Sequence, residues 1–374
     1  MLGGMRKAWS RSAVTKLYPT LKASQRDSYW WWMERIRATA STNRPAAHEV
    51  AASPTKPKVA GPPMGRVVSL KLAGPLAVGP NGVLYVVDEQ RHEVLVRRAN
   101  GQFRVVAGDG KDGFSGDGGP ATKAALSNVS DITFGRGGSL YLADGGRVRV
   151  VNSAGIIRTI AGTGASGSIA SPTYSSSVTS GTPALSASLP SLSSIAFGPS
   201  GELYLATFSQ LLRLTAAGRL VTIRAAIRSG LSRGKFIPGD YASIAVGTHR
   251  DIYVGSGSTG WSIYRVSRHG VATNLGYARR SGGSAAVLAL GSDGVVEADN
   301  GTSIVRIEGN RLVTSYTFNN VPGTDWFTLT YFAIAPNGTL YADDIGGGGF
   351  QHYQQLASVV HDHVAVLWQR RNTA

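Results

Sequence analysis

Six times between residues 76 and 345 the chain repeats one short pattern: an apolar strand, a glycine turn and a second strand that usually carries tyrosine. The copies are LAVGPNGVLYVVD (76–88), ITFGRGGSLYLAD (132–144), IAFGPSGELYLAT (195–207), IAVGTHRDIYVGS (244–256), VLALGSDGVVEAD (287–299) and AIAPNGTLYADDI (333–345). The fourth departs at its turn, with Thr248-His249-Arg250, and the fifth has Glu297 near the place of the tyrosine. Two more strands follow each pair, joined by turns such as Ala99-Asn100-Gly101. A four-stranded unit has two faces and cannot bury both alone. Radial stacking buries both and leaves only short outer edges open. The pattern therefore predicts an all-β six-bladed β-propeller of four-stranded antiparallel blades. The last blade is complete from C-terminal residues, so closing the ring needs no N-terminal strand. Residues 66–72 remain available to extend an edge.

Charge divides the chain in two. Of 38 Lys+Arg and 22 Asp+Glu, the first 65 residues hold 11 and 3. The prediction is a basic, poorly ordered N-terminal extension ending in a Pro-rich linker (1–65), followed by the propeller (66–374). Arg6, Lys7 and Arg11 are not followed by a long apolar run, so no secretory leader or transmembrane segment is expected, and a cytoplasmic location is the default. If the true start lies downstream, secretion stays open. The run Tyr29-Trp30-Trp31-Trp32-Met33 with Arg35 and Arg37 suits peripheral contact with an anionic membrane, or a helix docking on the propeller. With no cysteine, a disulfide framework, a thiol nucleophile and a Cys-based metal centre are excluded.

The segments Gly113-Phe114-Ser115-Gly116-Asp117-Gly118-Gly119-Pro120-Ala121, Leu140-Tyr141-Leu142-Ala143-Asp144 and Arg147-Val148-Arg149-Val150 resemble a bacterial NHL-repeat propeller. Blades 1 and 2 match closely, blade 3 moderately, and blades 4–6 only in pattern. The resemblance implies a ligand- or partner-binding propeller. Such propellers serve as sensor domains, scaffolds and RNA binders, and related six-bladed folds include enzymes, so fold alone does not fix function.

Topology narrows the site. Loops from strand 2 to 3 and from strand 4 to the next blade emerge on one face, the strand 1–2 and 3–4 turns on the other. The long insertions 108–128, 162–189 and 225–240 all join strand 4 to the next strand 1. They share one face, and long loops on a rigid scaffold are where binding is usually built. The expected role is a non-catalytic binding or scaffold propeller that engages a protein or an anionic polymer through this face. Candidate contacts are Arg219, Arg224, Arg228, Arg233, Lys235, Arg147 and Arg149, together with Asp88 and Asp144. Those two aspartates end their second strands, where the structural alternative is capping of backbone N–H groups in the next turn.

Two alternatives stand beside it. One is a metal-dependent, lactonase-like hydrolase at the channel mouth, with Asn128, Asp131 and Asp240 as ligands. It lacks the expected glutamate on a first strand, and no cofactor is expected outside this alternative, which would take a divalent cation such as Ca²⁺. Asp109, Asp112 and Asp117 also invite calcium, but without EF-hand spacing. The other is RNA binding through the acid-free stretch Arg213–Lys235, through phosphate contacts, although stacking aromatics are sparse there.

Overall fold

The computed structural model describes residues 64–164, 178–207, 210–223, 226–227, 241–256, 262–277, 287–291, 293–299, 303–317, 329–346, 353–360 and 363–371. The chain divides into two units, Met1–Pro57 and Lys58–Ala374, and every described residue lies in the second. The extension and its Trp–Arg run fall outside the described residues.

Six antiparallel sheets of consecutive strands form the blades. The innermost strands are Ala73–Val78, Val129–Phe134, Leu192–Phe197, Tyr241–Val246, Leu288–Leu290 and Leu329–Ile334. The outermost are Phe103–Ala107, Ile157–Ala161, Leu220–Ile223, Val271–Tyr277, Arg311–Thr317 and His363–Arg371. The predicted architecture holds, and blade 6 builds all four strands from C-terminal residues.

The core lies at the seams between blades. Six apolar clusters of described residues each join two neighbouring blades, including blades 6 and 1. At the first seam Val87, Val94, Leu126, Ile132 and Leu140 are fully or almost fully buried. Tyr85 meets Phe134 edge-on at 4.7 Å, and Tyr141 meets Phe197 in the same way at 4.8 Å. Each such side chain taken from water contributes roughly 1.5–3 kcal/mol. The ring is thereby closed by packing, without an exchanged strand.

Every strand 1–2 turn has one construction. Its first residue donates to the carbonyl four positions on, and its fourth residue donates back to the first, as in Gly79→Val83 and Gly82→Gly79. The fourth residue lies in the left-handed region: Gly82, Gly138, Gly201, Gly294 and Gly338 in five blades, and Arg250 (φ 64°) in blade 4. The irregular fourth repeat therefore keeps the turn and accepts backbone strain. The 98–102, 152–156, 215–219 and 267–271 turns between strands 3 and 4 repeat the same bonding.

The chain entering a blade first touches that blade's outer edge. Val67–Val68 pairs antiparallel with Phe103–Arg104 in blade 1, which is the edge extension open to residues 66–72. Gly118 and Gly119 bond Ile157 in blade 2, and Gly181 and Thr182 bond Leu220 in blade 3. Ala226–Ile227 pairs in parallel with Val271–Ala272 in blade 4.

Candidate functional site

The insertion face is built from chain that folds back on itself. The 108–128 crossing and the described part of the next one, 178–191, are two versions of one design. Pro120 and Pro183 each precede a single 3₁₀ turn, Ala121–Lys123 and Ala184–Ser186. Ala124 and Leu126, and likewise Ala187 and Leu189, are buried beneath. Of the third insertion only Ala226–Ile227 is described, so Arg224, Arg228, Arg233, Lys235 and Asp240 fall outside the described residues.

Arg149 is not at the surface. It is fully buried, because in its strand it occupies the place of Leu95 in blade 1 and Leu212 in blade 3. Its guanidinium donates to Asp144 Oδ2 (3.2 Å), Asp117 Oδ1 (2.8 Å), Ala125 O (2.9 Å) and Ser115 O (2.6 Å). It thus ties the crossing to blade 2 and offers no charge to an external anion. Arg147 lies over the Phe114 ring at 3.7 Å and donates to Thr163 O (2.7 Å). Asp144 Oδ1 accepts from Ser127 N (2.8 Å) and Ser127 Oγ (3.2 Å). Asp88 accepts from Lys71 N (2.8 Å) and Leu72 N (3.3 Å). Both aspartates cap the segment entering their own blade's first strand, and Asp88 also accepts from Arg91 N in the following turn, as expected. The end of strand 2 lies beside the start of strand 1, so the entering N–H groups are close by. Burial outweighs the donors at Asp88 and raises its carboxyl above the ordinary range.

The axial cavity, about 520 Å³, is lined by all six innermost strands. A bulge in five of those strands re-aims the residue after it. In three successive blades that residue holds the next blade. Asp131 Oδ2 accepts from Ser194 Oγ (2.7 Å) and Ile195 N (2.8 Å), and Oδ1 from Ile132 N (2.8 Å). Ser194 Oγ accepts from Ile244 N (3.2 Å), and Ser243 Oγ from Leu288 N (3.0 Å). Burial pushes the Asp131 carboxyl up to about 6, against the pull of these donors.

Those bonds bear on the metal reading. Both oxygens of Asp131 are already engaged, and Asn128 is exposed at the strand entrance with its carbonyl held by Gly145 N. Among the described residues no three His, Asp or Glu side chains come together as a metal site. Asp117 goes to Arg149 and Thr159 N, Asp109 to Lys111 N, and Asp112 lies beside His92, so the three loop carboxylates diverge. These described side chains do not converge on one point.

Sequence reasoning missed Glu89. It sits beside Gly74, where a Cβ would fall 2.6 Å from its side chain, and hydrogen-bonds Tyr331 across the blade 6–1 seam. Burial and the charges of Glu89, Asp131 and Asp343 hold the Tyr331 hydroxyl far above its usual value. The only signal was a second acid directly after the strand-ending Asp88, unique to the first repeat.

The turn face differs in charge. Arg98, Arg136, Arg158, Arg219, Arg268 and Arg311 are exposed there, spread over blades 1 to 5. The described carboxylates of this face are all taken by three other arginines. Arg250 pairs with Glu202 (3.8 Å), Arg265 with Asp251 (3.8 Å), and Arg306 with Asp293 (2.6 Å), Glu297 (3.4 Å) and Glu308 (3.7 Å). None of the six exposed arginines has a carboxylate partner among the described residues. Arg219 follows the strand 3–4 turn of blade 3, as its place in the hairpin predicted, and donates to Gly181 O (2.7 Å) of the second insertion.

Among the described residues no helix is long and apolar enough to cross a membrane. None of the curated proteins matches the chain. A virginiamycin B lyase from Staphylococcus aureus has a similar fold (13% identity, 80% of this chain and 87% of that one, TM-score 0.49). So does a gluconolactonase from Xanthomonas campestris (11% identity, 74% and 84%, TM-score 0.45). Residues 96–180, from the outer half of blade 1 through blade 2, match the family model of the teneurin NHL domain. With six four-stranded blades around one axis, the chain is a six-bladed β-propeller that is similar to an NHL-repeat domain over residues 96–180.

Proposed function

We propose that the propeller is a non-catalytic binding module for an anionic partner, and that it binds through the turn face. The observation that carries this reading is the set of six exposed arginines without carboxylate partners. The insertion face supports it less well. Its described loops are tied down onto the blades, Arg149 is buried, and Glu89, Asp109, Asp112 and Asp117 place carboxylates at its surface. Guanidinium groups pair with phosphate or carboxylate in a two-bond fork, which suits a multivalent anion.

The test is titration with inorganic polyphosphate. Affinity should fall steeply as salt rises. It should drop at least tenfold in the variant combining Arg136→Glu, Arg158→Glu, Arg219→Glu and Arg268→Glu. Lys111→Glu, on the insertion face, should leave it within twofold. Equal loss in both variants would remove the turn face from the reading.

A further inference from the structure

The geometry points to an anionic lipid bilayer as the surface on which the turn face docks, an inference that rests on the anionic-partner reading above.

The spread of the charges over five blades is the first argument. The five described strand 1–2 connections of blades 1–4 and 6 and the fifth blade's matching one share one turn design, down to the bonds Gly135→Ser139, Gly198→Glu202 and Ala335→Thr339. In blades 1 to 4 the strand 3–4 turns share it too. Arg98, Arg136, Arg158, Arg219 and Arg268 each stand on or beside such a turn, and Arg311 follows the shorter 308–311 turn of blade 5. A plane of anionic headgroups meets charges on five blades at once, whereas a nucleic-acid duplex is a rod and meets a strip of them.

Chemistry is the second. Single-stranded nucleic acid is held by stacking on exposed aromatics. Among the described residues the exposed large apolar side chains are Met64, Val67, Phe114, Leu185, Leu290 and Val313. The one aromatic, Phe114, is on the other face under Arg147. A charged rim flanked by exposed Met64, Leu290 and Val313 fits adsorption at headgroup depth, where each cation adds to an attraction that salt screens. The sequence adds an independent sign: the run Tyr29-Trp30-Trp31-Trp32-Met33 with Arg35 and Arg37 has the composition of an interfacial segment.

The absence of cysteine makes orientation measurable. Full-length protein carrying Ser153→Cys, at an exposed strand 3–4 turn, or Lys111→Cys, in the 108–128 loop, takes one fluorophore at one place. Vesicles of equimolar phosphatidylglycerol and phosphatidylcholine, with a nitroxide on the headgroup, report which face is near. The expected result is strong quenching at 153, little at 111, no binding to pure phosphatidylcholine, and at least tenfold weaker partitioning of the four-arginine variant. Equal quenching of the two labels, or undiminished partitioning of that variant, overturns the docking face. Polyphosphate binding without vesicle binding, or tighter binding to a DNA duplex at the same salt, overturns the lipid and leaves the anionic-partner reading standing. Binding to none of the three removes both. Unchanged thermal melting of the four-arginine variant shows that any loss is not unfolding.

Discussion

Replacing Arg149 by leucine tests whether its charge is structural, and the chain supplies the control. Arg149 is fully buried, and its partner Asp144 has a side chain 1% exposed. Arg149→Leu removes four hydrogen bonds and leaves Asp144 Oδ2, Ser115 O and Ala125 O without that donor. Asp144 Oδ1 keeps Ser127, and Asp117 keeps Thr159 N, so the loss is partial. Breaking a buried pair by removing one partner costs about 3–5 kcal/mol. Blade 3 shows another solution at the same places. Leu212 stands for Arg149, Thr207 for Asp144, and Ser180, three residues before Pro183, for Asp117. Adding Asp144→Thr and Asp117→Ser to Arg149→Leu removes the stranded charges and should restore at least about 2 kcal/mol, since apolar replacement of a buried ion pair is often neutral or better. Urea unfolding followed by far-ultraviolet circular dichroism gives the midpoints. A single variant within about 1 kcal/mol of the parent, or a triple variant no more stable than the single one, would refute the reasoning.

Asp131 should give stability a distinct pH dependence. Its folded value near 6 lies above the ordinary 3.8, so its contribution is full below 3.8 and is lost as pH rises through about 6. Urea midpoints between pH 4 and 7 should decline in the parent and flatten in Asp131→Asn, and identical slopes would count against this. At the turns, Gly338 (φ 82°) has nothing within 4 Å of a built Cβ, so Gly338→Ala isolates backbone strain and should cost about 1–2 kcal/mol in thermal unfolding. Arg250→Gly should stabilise, by less than that, because it also gives up Ser200 and the Glu202 pair, most of it exposed.

The blades were readable because their signals are local. An apolar run, a left-handed glycine and a tyrosine strand lie within 13 residues, and six copies reinforce one another. Even the odd fourth turn was visible as an anomaly, although only its geometry shows that Arg250 takes the glycine conformation. Arg149 and Glu89 were not readable in the same way. Arg149 is an interior residue only because a loop more than 20 residues earlier folds over it. Glu89 reaches Tyr331 only because the ring closes and brings the two ends together. The proposed change of face has a similar root. Loop length marks where chain is available, and here that chain is used to join blades, whereas the free charge stands on the shortest turns.

The contact of each incoming segment with the outer edge of its blade defines what can be moved or exchanged. In the first four blades the covering residues precede the blade they cover. The natural module therefore begins inside the crossing and ends at the outer strand. A cut at the first strand would leave one blade bare and carry a stranger's cover to the next. Transplanting residues 116–161 as a block would move a blade with its own cover and its Asp117–Arg149–Asp144 tie intact. Circular permutants opened just upstream of Gly116 should be tolerated where those opened at Asn128 are not.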